Sequence, residues 1–481
     1  MDAQQDDLEK KLEKSKEYSI KDGSFYSVMV GFGVNYLTPF ALRLGASVAD
    51  VGLLQTLPQL LGSAAQLLYS RVSRVVKSRQ KLVLSLVSIQ CLAWLGLFAL
   101  TLLSGDSIVS WLILFYSISV LAESFANPAW TSWMGDIVKE KDRPQYFGKR
   151  NEITGFAAFV SSIAAGWALG LFQEWSRAAL GFTVIFAIAF LGRLVSLYYL
   201  SRKFEPKLEE RTQEITFRSF LKSLRQTNFG ALVLYNSVLS FGVFIAAPYF
   251  SVYALSVLKF DYFTYAVVFA VAQISLFLTM VYWGDVVNKL GSKSVLYASG
   301  LVVAIIPLYW ALFKNPFLLF FFELFSGLGW AGQRIATFNL ILKTTPEKDK
   351  SKFVAYYNVL QGIAIFAGGM AGALLAWFFE ANSISLLGAL PAVFVVSSAL
   401  RFAAVLLFAR RIEEQESKGF ESKTFLFKTI TLYPAKSAMY EVQSGLRRGL
   451  SKAFELEKDF HTLKKKSDEM LNKMKIKKIE F

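Results

Sequence analysis

The sequence contains almost no cysteine or histidine. Its 481 residues include one cysteine, Cys91, and one histidine, His461. A disulfide within the chain needs two cysteines, so the cross-links that stabilise small secreted domains are excluded. Zinc sites and nucleophilic catalytic sites commonly need several histidine or cysteine side chains. We therefore expect no metal site, no cofactor and no enzymatic activity.

Charged residues are also scarce. They make up 18% of the chain, against about a quarter of the residues in soluble proteins. The sequence has no Gly-x-x-x-x-Gly-Lys-Ser/Thr motif, which argues against an ATP-driven pump. The segment "MDAQQDDLEKKLEKSKEYSI" at the start is polar and charged, so we expect no cleavable signal peptide.

Long apolar runs are abundant instead. Hydrophobic residues make up 54% of the chain, and many runs reach the roughly 20 residues that a helix needs to cross a bilayer. A helix satisfies its own backbone polar groups in lipid, so we predict an all-α membrane protein. The twelve predicted spans cover residues 23–44, 49–69, 81–103, 108–136, 151–172, 178–201, 228–255, 262–283, 294–313, 315–342, 353–378 and 385–409.

Lysine and arginine are distributed unevenly between the loops. The loops after even-numbered spans are rich in them, whereas the loops after odd-numbered spans contain only Arg43, Arg177, Lys259 and Lys314. Positively charged loops stay cytoplasmic, so we predict a multi-pass plasma-membrane protein with both termini in the cytoplasm. This asymmetry and a lysine-rich tail explain the net charge of +16 without a nucleic-acid partner.

Three sequence matches divide the chain into two halves. The segment "FGVNYLTPF" matches "FGVFIAAPY" at a shift of 209 residues, and two further matches have shifts of 207 and 208. The paired segments start at Phe32 and Phe241, at Glu140 and Glu347, and at Gly192 and Leu400. They predict two pseudo-symmetric six-helix bundles. The predicted divisions are a cytoplasmic segment 1–22, a bundle 23–202, a linker 203–227, a bundle 228–410 and a basic tail 411–481.

Two loop motifs carry a family resemblance. The loop after span eight reads "GDVVNKLGSK" and the loop after span four reads "WMGDIVKEKDRPQYFGKRN". Together with the topology over residues 23–410, these motifs resemble the major facilitator superfamily. That family's first signature is roughly Gly-x-x-x-Asp-Arg-x-Gly-x-Arg/Lys, and Asn288 stands here where aspartate is usual. The resemblance implies cytoplasmic gating contacts by Gly284, Asp285, Asn288, Lys289, Gly291, Lys293, Arg143 and Lys350.

The resemblance also implies that the two bundles rock around a central site, lined by spans one, four, seven and ten. Span four contains Glu123, and a carboxyl group in a span is costly unless it faces water or a partner. Burial favours the protonated form of a carboxyl, so Glu123 is the candidate for proton coupling. An interhelical hydrogen bond or ion pair is the alternative. Asn127 lies one turn along on the same face and is a substrate-cavity candidate.

Spans ten, one and seven offer further candidates. Arg334 could bind an anionic solute or pair with Glu123 across the cavity, and a permanent interhelical ion pair is the alternative. We expect Glu323, near the end of its span, to be exposed to water. The other substrate-cavity candidates, which could instead bond helices to one another, are Gln333, Asn35, Tyr36, Tyr235, Asn236 and Tyr249. We expect the repeat-related Arg193 and Arg401 to have a structural role and to snorkel towards headgroups.

These features predict a secondary active transporter of a small organic solute, coupled to protons. Export of amphipathic compounds is favoured because the cavity spans are aromatic and have few polar groups. Uptake of a sugar or an organic acid is the alternative, and a lipid-handling or non-transporting scaffold is a third. We expect a monomer in contact with membrane lipids. The basic amphipathic tail is predicted to lie on an anionic leaflet or against a partner helix, or to be a solvated helix.

Overall fold

The computed structural model of the chain describes residues 2–68, 76, 78–105, 107–139, 142–206, 220, 221, 224, 227–345, 350–382 and 388–414. In these residues the regular structure is helical, and no β-strand occurs. The predicted amphipathic tail lies outside the described residues, and so does most of the predicted linker 203–227.

Helices occupy all twelve predicted spans. A 3₁₀ turn (Val34–Tyr36) separates α1 from α2, which together form span one, and π-helical turns extend α8 and α13. In chain order the α-helices are α1 (Asp2–Phe32), α2 (Leu37–Arg43), α3 (Val48–Ala65), α4 (Arg79–Leu100), α5 (Ile108–Ile137), α6 (Arg143–Glu174), α7 (Ala178–Ser201), α8 (Asn228–Val252), α9 (Tyr262–Leu290), α10 (Ser292–Leu312), α11 (Pro316–Thr344), α12 (Lys350–Asn382) and α13 (Ala389–Ala403).

Ten helical segments of the described chain are long and apolar enough to cross a membrane. The other two predicted spans, two and ten, are formed by α3 and α11. The prediction of an all-α, multi-pass membrane protein is therefore confirmed.

Two helices begin well before their predicted spans. Helix α1 begins at Asp2, although span one was predicted from residue 23, and α6 begins at Arg143 instead of residue 151. The extension of α1 is polar and carries exposed ion pairs one turn apart, such as Lys10 Nζ to Asp6 Oδ2 at 2.7 Å. Such pairs add about 0.3–0.5 kcal/mol of helix stability. Hydropathy cannot reveal a helix of this composition.

Helix packing repeats between the two halves. In the first half the main packed pairs are α1–α6, α1–α7, α3–α5, α4–α5, α4–α7 and α6–α7. In the second half they are α8–α12, α8–α13, α9–α11, α10–α11, α10–α13 and α12–α13. Each pair of the second set corresponds to a pair of the first set when both helices are moved on by six spans. For example, α1 belongs to span one and corresponds to α8, which forms span seven. The interface between halves consists mainly of α3 on α12 and α6 on α9, two contacts that the same operation exchanges. The sequence repeat is therefore a repeat of structure.

The chain that leaves each half folds back on that half. This happens on the side of the loops that follow even-numbered spans, here called the basic side. Glu205 Oε1 accepts a hydrogen bond from the backbone N–H of Gln80 at 3.1 Å, at the start of α4. Glu414 accepts from the N–H groups of Ser292 (3.0 Å) and Lys293 (2.6 Å), at the start of α10. A carboxylate is favourable at a helix N-terminus. The two glutamates are 209 residues apart, the same shift as between the segments FGVNYLTPF and FGVFIAAPY.

Candidate functional site

Glu123 lies in the middle of α5 and has partners on two neighbouring helices. The hydroxyl of Tyr26 on α1 donates a short hydrogen bond to Oε1 of Glu123. The amide of Gln90 on α4 approaches Oε2 of Glu123 at 3.4 Å and donates to Oγ of Ser119 at 3.1 Å. Side-chain donors therefore hold the carboxyl group from two directions within the first half of the protein.

Arg193 on α7 continues this network. Its Nε donates to Oε1 of Gln90 at 2.7 Å, and its NH1 donates to Oγ of Ser196 at 2.8 Å. The guanidinium group also lies 5.0 Å from the centre of the Tyr26 ring, which is cation–π distance. Arg193 is only 5% exposed, so the expectation that it snorkels is wrong. Its positive charge is held inside the first half, one amide away from Glu123.

A cavity of about 300 Å³ lies next to this network. It is bounded by α1, α4, α5, α6 and α7, all in the first half. Glu123 and Asn127 both line it, as their spacing on one helix face predicts, and Asn127 is exposed. Asp22, Tyr26 and Arg193 line it too. The cavity therefore gives Glu123 room for water and an ionisable neighbourhood.

A second cavity, of about 370 Å³, lies between the two halves. Its lining comes from span one, α3, α5 and α6 of the first half and from α9 of the second half. Most lining side chains are apolar or aromatic, including Phe159, Phe269 and Phe277. Asn35 is exposed there, and its amide donates to Oγ of Ser162 at 3.2 Å. This cavity suits a small, largely apolar solute with a few polar groups.

Five of the other substrate-cavity candidates are buried between helices. The hydroxyl of Tyr36 donates to the carbonyl of Ser162 at 2.6 Å, and that of Tyr249 donates to the carbonyl of Gly369 at 2.5 Å. These side chains line neither cavity and bond one helix to another, the alternative that the sequence left open. The five residues are Tyr36, Tyr235, Asn236, Tyr249 and Gln333.

The charged residues of α11 differ in their surroundings. Arg334 is exposed, and in the described part of the chain no hydrogen bond or ion pair joins it to Glu123. Glu323 is only 6% exposed and accepts hydrogen bonds from Tyr309 (3.1 Å) and Trp310 (2.7 Å) of α10. The expected exposure of Glu323 to water is therefore wrong, because the neighbouring helix covers it.

Arg401, the repeat partner of Arg193, is also enclosed. It is 1% exposed and donates to the carbonyls of Val303 (3.0 Å) and Val243 (3.2 Å) and to Oγ of Ser397 (3.1 Å). These bonds tie α13 to α10 and α8. The expected structural role agrees with this geometry, whereas snorkelling of Arg401 does not occur.

The predicted gating residues are dispersed. Arg143 donates to the carbonyls of Gly135 (2.6 Å) and Val138 (3.2 Å) at the junction of α5 and α6. Gly291 joins α9 to α10 with a positive φ of 83°, which favours glycine. Gly284 lies in α9, while Asp285, Asn288 and Lys289 are exposed near its end and Lys293 bonds with Glu414 as described above. Lys350 begins α12, and its side chain lies outside the described residues. Each described contact of this set stays within one half.

Four residues of this region were not predicted as site residues, because they lie outside the spans expected to line the cavity or near the start of such a span. Gln90 lies in span three. Lys203, whose Nζ lies 2.7 Å from Oδ2 of Asp22, lies after span six. Asp22 lies one residue before the predicted start of span one. Tyr26 is 209 residues before Tyr235, so the repeat contained a signal that could have identified it.

Sequence comparison agrees with this architecture. A family model described as Major Facilitator Superfamily matches residues 23–369 and 275–442. A protein described as a multi-drug resistance efflux pump PmrA homolog, from Lactococcus lactis, is 23% identical over 231 residues. That alignment spans 46% of this chain and 56% of the relative's length.

Solved transporter structures share the fold at low sequence identity. A mutant of the nucleoside transporter NupG gives a TM-score of 0.63 at 13% identity, covering 83% of this chain and all of NupG. The POT family transporter PepTSo gives 0.64 at 12% identity, covering 82% and 97% of the two chains. A bacterial homolog of the lysosomal transporter Spinster, inward-facing and unoccupied, gives 0.56 at 14% identity, covering 89% and 97%. The chain therefore belongs to the Major Facilitator Superfamily of membrane transporters.

Proposed function

We propose that the protein exports small amphipathic solutes across the plasma membrane in exchange for protons. The proposal depends mainly on the position of Glu123. It is an ionisable carboxyl within a membrane span, held by Tyr26 and Gln90 and bordering a cavity of about 300 Å³. A carboxyl group in a span is costly to retain, so a carboxyl with access to a cavity is suited to reversible protonation.

The inter-half cavity supports the proposed class of solute. Most of its lining side chains are apolar or aromatic, and five polar side chains lie among them: Asn35, Thr38, Gln55, Ser162 and Gln273. A site of this kind can accept many amphipathic compounds, because apolar contacts are non-directional. The distant similarity to an efflux pump agrees with export. The lysine-rich and arginine-rich loops support a cytoplasmic position for the basic side and both termini.

The test uses purified protein in liposomes with an acidic lumen and the pH dye pyranine inside. Ethidium, a permanently charged amphipathic dye, is added outside. Export by exchange predicts that ethidium enters as protons leave, so that the lumen becomes more alkaline. Glu123→Gln should retain ethidium binding but lose the acceleration by the pH gradient.

Glu323→Gln provides a matched control. Glu323 is also a buried carboxyl within a span, but its partners are Tyr309 and Trp310 of the same half and it lines neither described cavity. This variant should remain driven by the gradient. Normal coupling in Glu123→Gln would refute the proton assignment, and ethidium that moves together with the protons would refute exchange.

Uptake of an organic acid is a second candidate function, favoured by the exposed guanidinium of Arg334 within α11. In liposomes with an acidic exterior instead of an acidic lumen, a carboxylated dye such as carboxyfluorescein would then enter together with the protons. Arg334→Gln should abolish this movement, because the anion would lose its counter-charge. Unchanged dye movement in this variant would exclude Arg334 as the anion-binding group.

A further inference from the structure

A buried ion pair closes the basic end of the first half. Nζ of Lys203, just after α7, lies 2.7 Å from Oδ2 of Asp22 on α1, and the two side chains are 0% and 6% exposed. The ammonium group also lies 5.6 Å from the ring centres of Trp130 and Trp133. Burial lowers the pKa of Lys203, and Asp22 opposes this effect. Taking two charges out of water is costly, so a buried pair is poor evidence of a role in stability alone.

Hydrogen bonds connect this pair to Glu123. Oγ of Ser196 donates to Oδ1 of Asp22 at 3.2 Å and accepts from NH1 of Arg193 at 2.8 Å. Arg193 in turn donates to Gln90, whose amide approaches Glu123. Asp22 and Glu123 also line the same cavity. The two carboxyl groups are therefore linked both by side chains and by a shared space.

The electrostatic surroundings of Glu123 contain charges of both signs. Asp22 contributes a negative charge, and Arg193, Arg150 and Lys203 contribute positive charges. Lys203 is not among the residues that line the cavity, but it pairs with Asp22, which is. The pair carries no net charge when both members are ionised. The ionisable residues that line the cavity with Glu123 are Asp22, Tyr26, Arg150 and Arg193, and Tyr116 lies near Glu123 on the same helix. Cys91 lies near Arg193, and Lys203 pairs with Asp22.

We propose that the Asp22–Lys203 pair sets the proton affinity of Glu123 and thereby the pH range in which transport is coupled. This inference rests on the proposed function of Glu123. While the pair is intact, the opposite effects of its two charges on Glu123 largely cancel. Removing one member leaves the charge of the other uncompensated, and a nearby charge shifts the balance between the ionised and protonated forms of a carboxyl group.

The two single substitutions should have opposite effects. Asp22→Asn leaves the positive charge of Lys203 beside that of Arg193, which favours the ionised form of Glu123. The pH optimum of gradient-driven transport should therefore fall. Lys203→Met leaves the negative charge of Asp22 and should raise that optimum by a similar amount. The double variant Asp22→Asn/Lys203→Met should return close to the wild-type value.

The readout is infrared difference spectroscopy of the purified protein during a pH titration. The carbonyl stretch of a protonated carboxyl group reports its occupancy, and the band absent from Glu123→Gln belongs to Glu123. The pH dependence of gradient-driven ethidium transport is measured in parallel. Tryptophan fluorescence and size-exclusion elution establish that each variant is folded.

Opposite shifts that cancel in the double variant would support the inference. Shifts in the same direction, or no shift, in folded variants would overturn it. If a neutralising variant does not fold, Asp22→Glu and Lys203→Arg supply the test: both keep the charge and should keep the wild-type midpoint, and a moved midpoint would overturn the inference. If Glu123→Gln removes no titrating band and leaves the transport profile unchanged, the proposed function fails as well. A lost band with unmoved pair variants refutes this inference alone.

Discussion

The hydroxyl of Tyr235 on α8 donates to Oε1 of Gln333 on α11 at 3.2 Å. Tyr235 is the repeat partner of Tyr26, 209 residues earlier, and Tyr26 makes the equivalent bond to Glu123. Each half thus contains a tyrosine of its first helix bonded to the helix that is fourth in that half. The acceptor can be protonated in the first half and is a neutral amide in the second. The contact of Tyr26 with the ionisable Glu123 can therefore be compared, within one protein, with the contact of Tyr235 with the non-ionisable Gln333.

This comparison predicts different outcomes for two matched tyrosine substitutions. Tyr26→Phe removes a donor from the carboxylate form of Glu123 and should make protonation easier, so the pH optimum of gradient-driven ethidium transport should rise. Tyr235→Phe removes a bond of the same type from Gln333 and should leave the optimum unchanged. Loss of the bond to the neutral amide should cost about 1 kcal/mol of stability, and loss of the bond to the carboxylate about 1.5–3 kcal/mol. Equal shifts of the pH optimum in both variants would show that the effect is not specific to Glu123.

The sequence was sufficient to predict the helices, and it singled out Glu123 as a candidate for the site. Apolar runs of about twenty residues specify membrane spans directly, and a carboxyl such as Glu123 stands out within them. The partners of Glu123 were not predictable in this way. Tyr26 is 97 residues away and Gln90 is 33 residues away, so these contacts depend on which helices pack together.

The sequence also did not predict which way individual side chains point. In a soluble helix the apolar stripe marks the buried face, but a membrane helix is apolar towards both lipid and protein. Asn35 is exposed at the inter-half cavity, whereas the adjacent Tyr36 is fully buried. Nothing in their composition separates them. Glu323 was misjudged for a related reason, because Tyr309 and Trp310, which cover it, belong to the preceding helix.

A second prediction concerns the contact of α6 with α9, where the two halves meet. A Cβ atom at Gly166 would lie 2.3 Å from Cβ of Ala266, closer than real atoms approach, whereas a Cβ atom at Gly148 on the same helix would have no neighbour within 4 Å. Gly166→Ala should therefore push the halves apart on the side opposite the basic side. Gly148→Ala should leave their separation unchanged.

Spin labels can measure this separation. The chain has one native cysteine, so a Cys91→Ser background with Glu174→Cys and Lys259→Cys carries one label on each half, on the relevant side. Electron–electron distance measurements should give a longer mean distance in Gly166→Ala than in Gly148→Ala. Identical distance distributions would mean that the α6–α9 contact does not limit how closely the halves approach.

The last prediction concerns the stability of the second half. The side chain of Glu414 is 4% exposed and also pairs with Lys343 at 3.0 Å, where Lys343 is 48% exposed. Burial alone would raise the pKa of Glu414, but the backbone N–H of Lys293, the ammonium of Lys343 and the N–H of Ser292 together hold the pKa below its usual value of 4.5. A lowered folded-state pKa means that the ionised group stabilises the fold above the unfolded-state pKa. This contribution is lost as the pH falls through the folded-state pKa.

Glu414→Gln should therefore lower the free energy of unfolding by about 1.5–3 kcal/mol at neutral pH, the range for hydrogen bonds to a charged group. The difference from wild type should shrink as the pH falls below about 4.5 and the wild-type carboxyl becomes protonated. Lys343→Met should cost less, because an ion pair with one half-exposed partner contributes at most about 1 kcal/mol. Thermal unfolding in detergent, followed by tryptophan fluorescence between pH 7 and pH 2.5, measures these differences. A Glu414→Gln difference that stayed constant across this range would show that the charge of Glu414 does not stabilise the start of α10.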